Sequence, residues 1–201
     1  MSLARKSMEE LLQEFARTSP TVPAGGCAVG LAGAVAASLG RFVAALSRRR
    51  AEDIEWIGRL EAMEERLEVL QQRCLLLMDE DMDACKGLFR ARSNRGGSQS
   101  PGGMEEVGRA LMEPAVALGR YGIELLRISL ELIRRGDPLA RADAGVAAEI
   151  AHACAKGGLW IARANLAWLG AEDKRVQAQE LDHFEVEMES LYNGVCEEME
   201  V

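Results

Sequence analysis

Carboxylates are the side chains of this sequence best suited to moving protons, and two places stand out among them: the run Asp79-Glu80-Asp81-Met82-Asp83 and Asp143. A carboxylate can orient a water, remove a proton or steady a developing cation. On a helix, residues two apart point about 200° away from each other, so at most one of Asp79 and Asp81 faces a given cleft. Simple solvation is the alternative for most of the run. Asp143 stands a few residues beyond Gly136-Asp137-Pro138, where an acid also serves as a helix N-cap or first-turn charge. Two arginine clusters, Arg48-Arg49-Arg50 and Arg90 with Arg92 and Arg95, suit an anionic ligand, because guanidinium pairs well with carboxylates. At a helix C-terminus the same charges complement the dipole. Gly25-Gly26 makes a turn that lets backbone approach a ligand and directs the amides of the following helix outward, or it relieves crowding in a helix pair. Asn165 can hydrogen-bond a ligand edge or neighbouring backbone.

The five cysteines, Cys27, Cys74, Cys85, Cys154 and Cys196, are odd in number and scattered. Neither they nor His152 and His183 show metal-ligand spacing, so free thiols in a reducing compartment and no metal are expected.

The elements that must position these residues are helical. Leu3, Met8, Leu11, Leu12 and Phe15 form an apolar stripe that predicts a helix over Leu3–Arg17, ended by Pro20 and Pro23. A helix from Gly25-Gly26 to about Ser47 is small and apolar all round, so it must be enclosed by protein or lipid. Its uncharged stretch from Ala24 ends at Arg41 after roughly 17 residues, where a bilayer span needs about 20. Ala51 to about Ala91 reads as one long helix, and Ser93–Gly103 as a glycine- and serine-rich loop. Further helices are predicted over Met104–Arg135, begun or kinked at Pro114, over Leu139–Leu169, and over Ala171–Met199. With 48% hydrophobic but only 4% aromatic residues, and no alternating strand pattern, the expectation is an all-α up-and-down bundle of about six helices with a long central helix, in a single domain over 1–201. A net charge of −8 argues against nucleic acid as a partner. The charged, amphipathic N-terminus does not read as a signal peptide, so a soluble, cytoplasmic protein without a membrane anchor is expected.

Four segments, in order, resemble the cyclodeaminase/cyclohydrolase family of one-carbon folate metabolism. The family signature of Ser-Pro, Pro-Gly-Gly-Gly-Ser and a small-residue helix with Leu-Ala-Gly-Ala is similar to Ser19-Pro20, Pro23-Ala24-Gly25-Gly26-Cys27 and Leu31-Ala32-Gly33-Ala34 here. Asp79-Glu80-Asp81 with Ala84 resembles its acidic element. Asp143-Ala144-Gly145-Val146-Ala147-Ala148 resembles its Ser-Asp-x-Gly-Val-Ala-Ala, and Asn165-Leu166 its Asn-Leu. Cys27, Ala45 and Ala142 stand where the family carries serine, asparagine and serine, and Trp160 where it often carries asparagine.

The resemblance implies a helical subunit that pairs as a homodimer, with a folate site in a cleft near the interface. It further implies chemistry on the carbon bridging N5 and N10 of a tetrahydrofolate derivative, taken as a substrate and without a metal. The reaction is then methenyltetrahydrofolate cyclohydrolysis or formiminotetrahydrofolate cyclodeamination. Asp143 and Asp81 are the catalytic candidates on this reading. Gly25, Gly26, Cys27, Arg48, Arg49 and Asn165 are the candidates for holding the folate. The replaced polar positions motivate an alternative, a catalytically silent member that binds folate or serves as an assembly subunit.

Overall fold

The computed structural model describes residues 2–17, 24–93 and 101–200, the side chains of residues 93, 101, 102 and 104 excepted. Ser19, Pro20, Pro23 and Arg95 lie outside the described residues. Among those described there are six α-helices and no strand: α1 (Met8–Phe15), α2 (Gly25–Arg50), α3 (Ile54–Ser93), α4 (Pro101–Arg135), α5 (Arg141–Asn165) and α6 (Ala171–Met199).

The first predicted helix is split. Leu3–Arg5 forms a 3-10 turn, and Ser7 then starts α1 through a capping box in which its side chain accepts from the Glu10 N–H while Glu10 reaches back to the Ser7 N–H. Apolar spacing runs through the break, which is why periodicity alone joined the two pieces. The long helix is continuous over Ile54–Ser93, about 60 Å at 1.5 Å per residue. Pro114 lies inside α4 rather than at its start. At the next junction Asp137 caps a short turn, its side chain accepting from the Leu139 N–H, with Pro138 in the first position where a missing N–H costs nothing.

Helices α2 to α5 form a four-helix core in which α2 packs on α3 and α5, α4 packs on α3 and α5, and α6 lies along α4 and α5. The small residues of α2 are what allow this closeness. Above Gly33, the sulfurs of Cys74 from α3 and Cys154 from α5 fill the place a side chain would take. A Cβ on Gly158 of α5 would lie 2.5 Å from the Gly119 nitrogen and 2.9 Å from the Ala115 oxygen of α4, so there backbone packs on backbone. Between these contacts sits a core of Leu60, Leu67, Leu70, Leu126, Leu132, Leu159 and their neighbours, with alanines supplying much of α5.

By length and composition α2 could cross a membrane, with a mean hydropathy of 1.7 in its most apolar window. In the bundle it instead buries Ala36, Ala37, Val43 and Ala44. One stripe of it stays exposed: Ala28, Val35 and Phe42, seven residues apart. On the neighbouring α5, Val146, Ala153 and Trp160 repeat that spacing, and Phe42 and Trp160 are 52% and 63% exposed.

Candidate functional site

The helix N-terminus at Gly25-Gly26 has no cap from its own chain segment, for Ala24 offers no side-chain acceptor. The acceptor comes from α3. Asp81, 3% exposed, places its carboxylate over Gly26, in the volume that a Cβ at Gly26 would occupy. It accepts from the Cys27 thiol at 3.6 Å, and the same thiol reaches the Met78 carbonyl at 3.2 Å. A carboxylate at a helix N-terminus meets unpaired amides and the positive end of the dipole. Only a glycine at position 26 leaves room for it.

The electrostatics of this cluster are set by burial. Desolvation pushes the Asp81 carboxyl up from its ordinary value, partly offset by hydrogen bonds from the Cys27 thiol and backbone. Burial and the Asp81 charge push the Cys27 thiol up to about 12 and the Cys85 thiol up to about 11. These are neutral thiols around an acid that holds its proton more tightly than a solvated aspartate. Asp79 turns the other way, as the helical spacing requires, and its Oδ1 accepts from the Leu3 N–H at 2.8 Å. It ties the N-terminal turn to α3 and plays no part in the cluster.

Asp143 is elsewhere. It sits half-buried in the first turn of α5, which runs antiparallel to α2: Ile161 meets Gly25, Gly157 meets Val29 and Cys154 meets Gly33. The eighteen residues from Asp143 to Ile161 correspond to about 27 Å of helix. One chain therefore brings Gly25, Gly26, Cys27 and Asp81 together and leaves Asp143 far along α2, in the half of that helix that ends in Arg48, Arg49 and Arg50.

Arg48 there pairs with Glu64 at 2.6 Å and reaches Glu61 at 3.6 Å, both on α3, while Arg49 is exposed. Arg50 meets the buried Asp137 carboxylate at 3.0 Å. Read from the sequence, Gly136-Asp137-Pro138 is a signal that one helix stops and the next starts. The Asp-Pro pair is itself an N-cap signature, and the structure adds that the Asp137 N–H donates to the Ser47 hydroxyl at 2.8 Å. Asn165 donates its side-chain N–H to the Leu111 carbonyl of α4 at 2.9 Å, the backbone alternative noted from its position. Cys85 beside Asp81 was not singled out by the sequence. The i, i+4 spacing from Asp81 to Cys85 was the signal that could have found it. Among the described residues no three His, Cys, Asp or Glu side chains are grouped so as to hold a metal ion.

The sequence profile of the formiminotransferase-cyclodeaminase family matches residues 7–183. Among curated protein sequences none matches the chain significantly. Among solved structures, formiminotetrahydrofolate cyclodeaminase from Thermotoga maritima shares the fold with a TM-score of 0.89 at 23% identity, over 98% of this chain and 96% of that one.

Proposed function

The chain belongs to the formiminotransferase-cyclodeaminase family, and from that premise we propose that it catalyses the cyclodeamination of a formiminotetrahydrofolate. In that reaction N10 attacks the formimino carbon carried on N5, the bond from that carbon to the formimino nitrogen breaks, and ammonia leaves behind a methenyl bridge. One proton must come off N10 and another must reach the departing nitrogen. The observation that carries the reading is Asp81, a buried carboxyl with raised proton affinity, held over Gly26 at the start of α2. A carboxyl whose proton affinity is raised by burial is suited to handing a proton to a leaving amine. Asp143 is the candidate base, or the group that steadies the cationic bridge.

Both groups serve one site only if two copies of the chain combine, and the proposal includes that homodimer. The apolar stripes of Val35 and Phe42 on α2 and of Val146 and Trp160 on α5 support a second copy seated there. A two-fold axis across the middle of that face sets the N-terminus of one α2 beside the C-terminus of the other. Asp143 and the exposed Arg49 of one copy then approach Gly25, Gly26 and Asp81 of its mate, with Arg49 pairing a carboxylate of the folate and Arg48 kept in place by Glu64. We place this dimer, as a soluble protein, in the cytoplasm.

The test follows methenyltetrahydrofolate absorbance and ammonia together. Formiminotetrahydrofolate should give rising absorbance with one ammonia per turnover, lost in Asp81→Asn. A fall in absorbance from methenyltetrahydrofolate, with no ammonia made from the formimino compound, assigns the cyclohydrolase reaction instead. Inactivity towards both substrates overturns the enzymatic reading and leaves a folate-binding or assembly subunit. The lost polar groups at Cys27, Ala45, Ala142 and Trp160 would then be the reason.

A further inference from the structure

The seam between α4 and α6 is closed by arginine–carboxylate pairs whose register slips. Arg120 pairs with Glu180 and Arg127 with Glu187, both across 60 residues of sequence. Arg109 pairs with Asp173 at 2.9 Å, and there the offset is 64. Between the Arg109 and Arg120 rungs, α4 therefore runs eleven residues while α6 runs seven. At 1.5 Å per residue that is about 16 Å against about 10 Å. Pro114 falls inside this stretch of α4, where it has no N–H to give to a helical hydrogen bond. The next interval shows the reverse, seven residues of α4 between Arg127 and Arg134 against eleven of α6 between Glu187 and Glu198, so the arginines reach one turn up or down the facing helix; a groove of about 690 Å³ lies between the Arg109 and Arg120 rungs. That volume is within the range of small-molecule sites.

The groove also holds carboxylates without a basic partner among the described residues. One heptad before Arg120 and Glu180 stand Glu113 and Asp173, an acid facing an acid. Arg109 takes Asp173, and Glu113 keeps no ion pair or hydrogen bond among the described residues. Glu172, in the first turn of α6, is likewise exposed and unpaired there. On the other side of α4 a second ladder stops at the same level. Arg59 pairs with Glu131 and Arg66 with Glu124, and the next antiparallel rung would set Arg73 against Ala117. Ala117 has no carboxylate to offer and lines the groove, while Arg73 turns to the Tyr121 hydroxyl at 3.5 Å. The floor is Met112, Val116, Leu169 and Val176.

We propose that this groove binds an amphipathic organic cation, its ammonium against Glu113 and Glu172 and its hydrocarbon body on Met112, Val116, Leu169 and Val176. Both lining arginines, Arg109 and Arg120, are occupied by carboxylates, so an anion would meet only excess negative charge. The site lies on the α4–α6 side of the bundle and does not depend on the folate reading.

A titration of methyl-labelled methionine in the full-length chain tests it, with 2-phenylethylammonium as the probe. The Met112 methyl resonance, assigned through Met112→Leu, should shift saturably. The paired substitution Glu113→Gln with Glu172→Gln, both at exposed positions, should weaken that binding about five- to tenfold, as expected for two partly solvated charge contacts. The response to uncharged 2-phenylethanol should not change between parent and variant. No saturable shift at Met112, an equal response to 3-phenylpropionate, or unchanged affinity in the paired variant overturns the proposal.

Discussion

Replacing Gly26 by alanine should destabilise the protein, although the same exchange within a helix ordinarily stabilises by about 1 kcal/mol. The reason is the carboxylate of Asp81. A Cβ at position 26 would lie closer than 3.0 Å to the Asp81 Cγ and to both of its oxygens, so the acid must leave its seat. Losing a helix N-cap costs about 1 kcal/mol. Overpacking a filled site costs about 1–3 kcal/mol, and a displaced, half-buried carboxylate about 1–3 kcal/mol more. Setting the propensity gain against these leaves a net loss of about 2–6 kcal/mol. For a domain of this size that is a fall in Tm of about 5–25 °C. Thermal unfolding followed by far-UV circular dichroism measures it, and repeating the exchange in an Asp81→Ala background isolates the cause. With no carboxylate to displace, the penalty should vanish and the ordinary helical gain return. A Tm unchanged or raised by Gly26→Ala in the parent, or the same loss in both backgrounds, would refute the assignment of Asp81 to this seat.

Gly158→Ala should cost about 3 kcal/mol or more, because its new methyl meets the backbone of Gly119 and Ala115, which cannot swing aside; the same unfolding curve checks it. Asp81 also makes stability depend on pH. Its carboxyl holds a proton more tightly in the folded chain than in the unfolded one. The stabilisation from that proton is therefore complete below the ordinary aspartate value and is lost as pH rises through the raised one. The Tm of Asp81→Asn relative to the parent should accordingly be more favourable at about pH 7 than at about pH 4. With the thiols of Cys27 and Cys85 pushed up to about 12 and about 11, both should resist alkylation by iodoacetamide at mildly alkaline pH and be labelled once the chain is unfolded, as read by mass spectrometry of the labelled peptides.

The helical class was legible because its causes are local. Apolar residues recurring at three and four positions set α3, and the uncharged, small-residue run of α2 required enclosure wherever it lay. What periodicity could not give was the break at Lys6-Ser7, which is decided by one capping box, and the exact place of Pro114, which tertiary packing keeps inside α4. For the candidate site, the pairing of the glycine turn with an acid of the Asp79-Glu80-Asp81 run could be guessed only by resemblance. That Asp81 and not Asp79 makes the contact depends on how α3 is rotated against α2. The separation of Asp143 from Asp81 was invisible in the sequence, because it follows from the antiparallel path of α5 along α2. Arg48 and Asn165 show the opposite case, where a polar side chain singled out for a ligand is found bonded to its own protein.

The most direct test of the composite site is complementation between two defective chains. Asp81→Asn and Asp143→Asn chains, carrying different tags, are co-expressed and the mixed dimer is purified. Its formiminotetrahydrofolate cyclodeaminase activity is compared with that of each mutant alone. If one site draws Asp81 from one copy and Asp143 from the other, the mixed dimer keeps one site with both groups intact. It should then show about half of the parent activity while both single-mutant proteins show none. A mixed dimer as inactive as its parents would contradict the account, since both groups would then have to act within one chain.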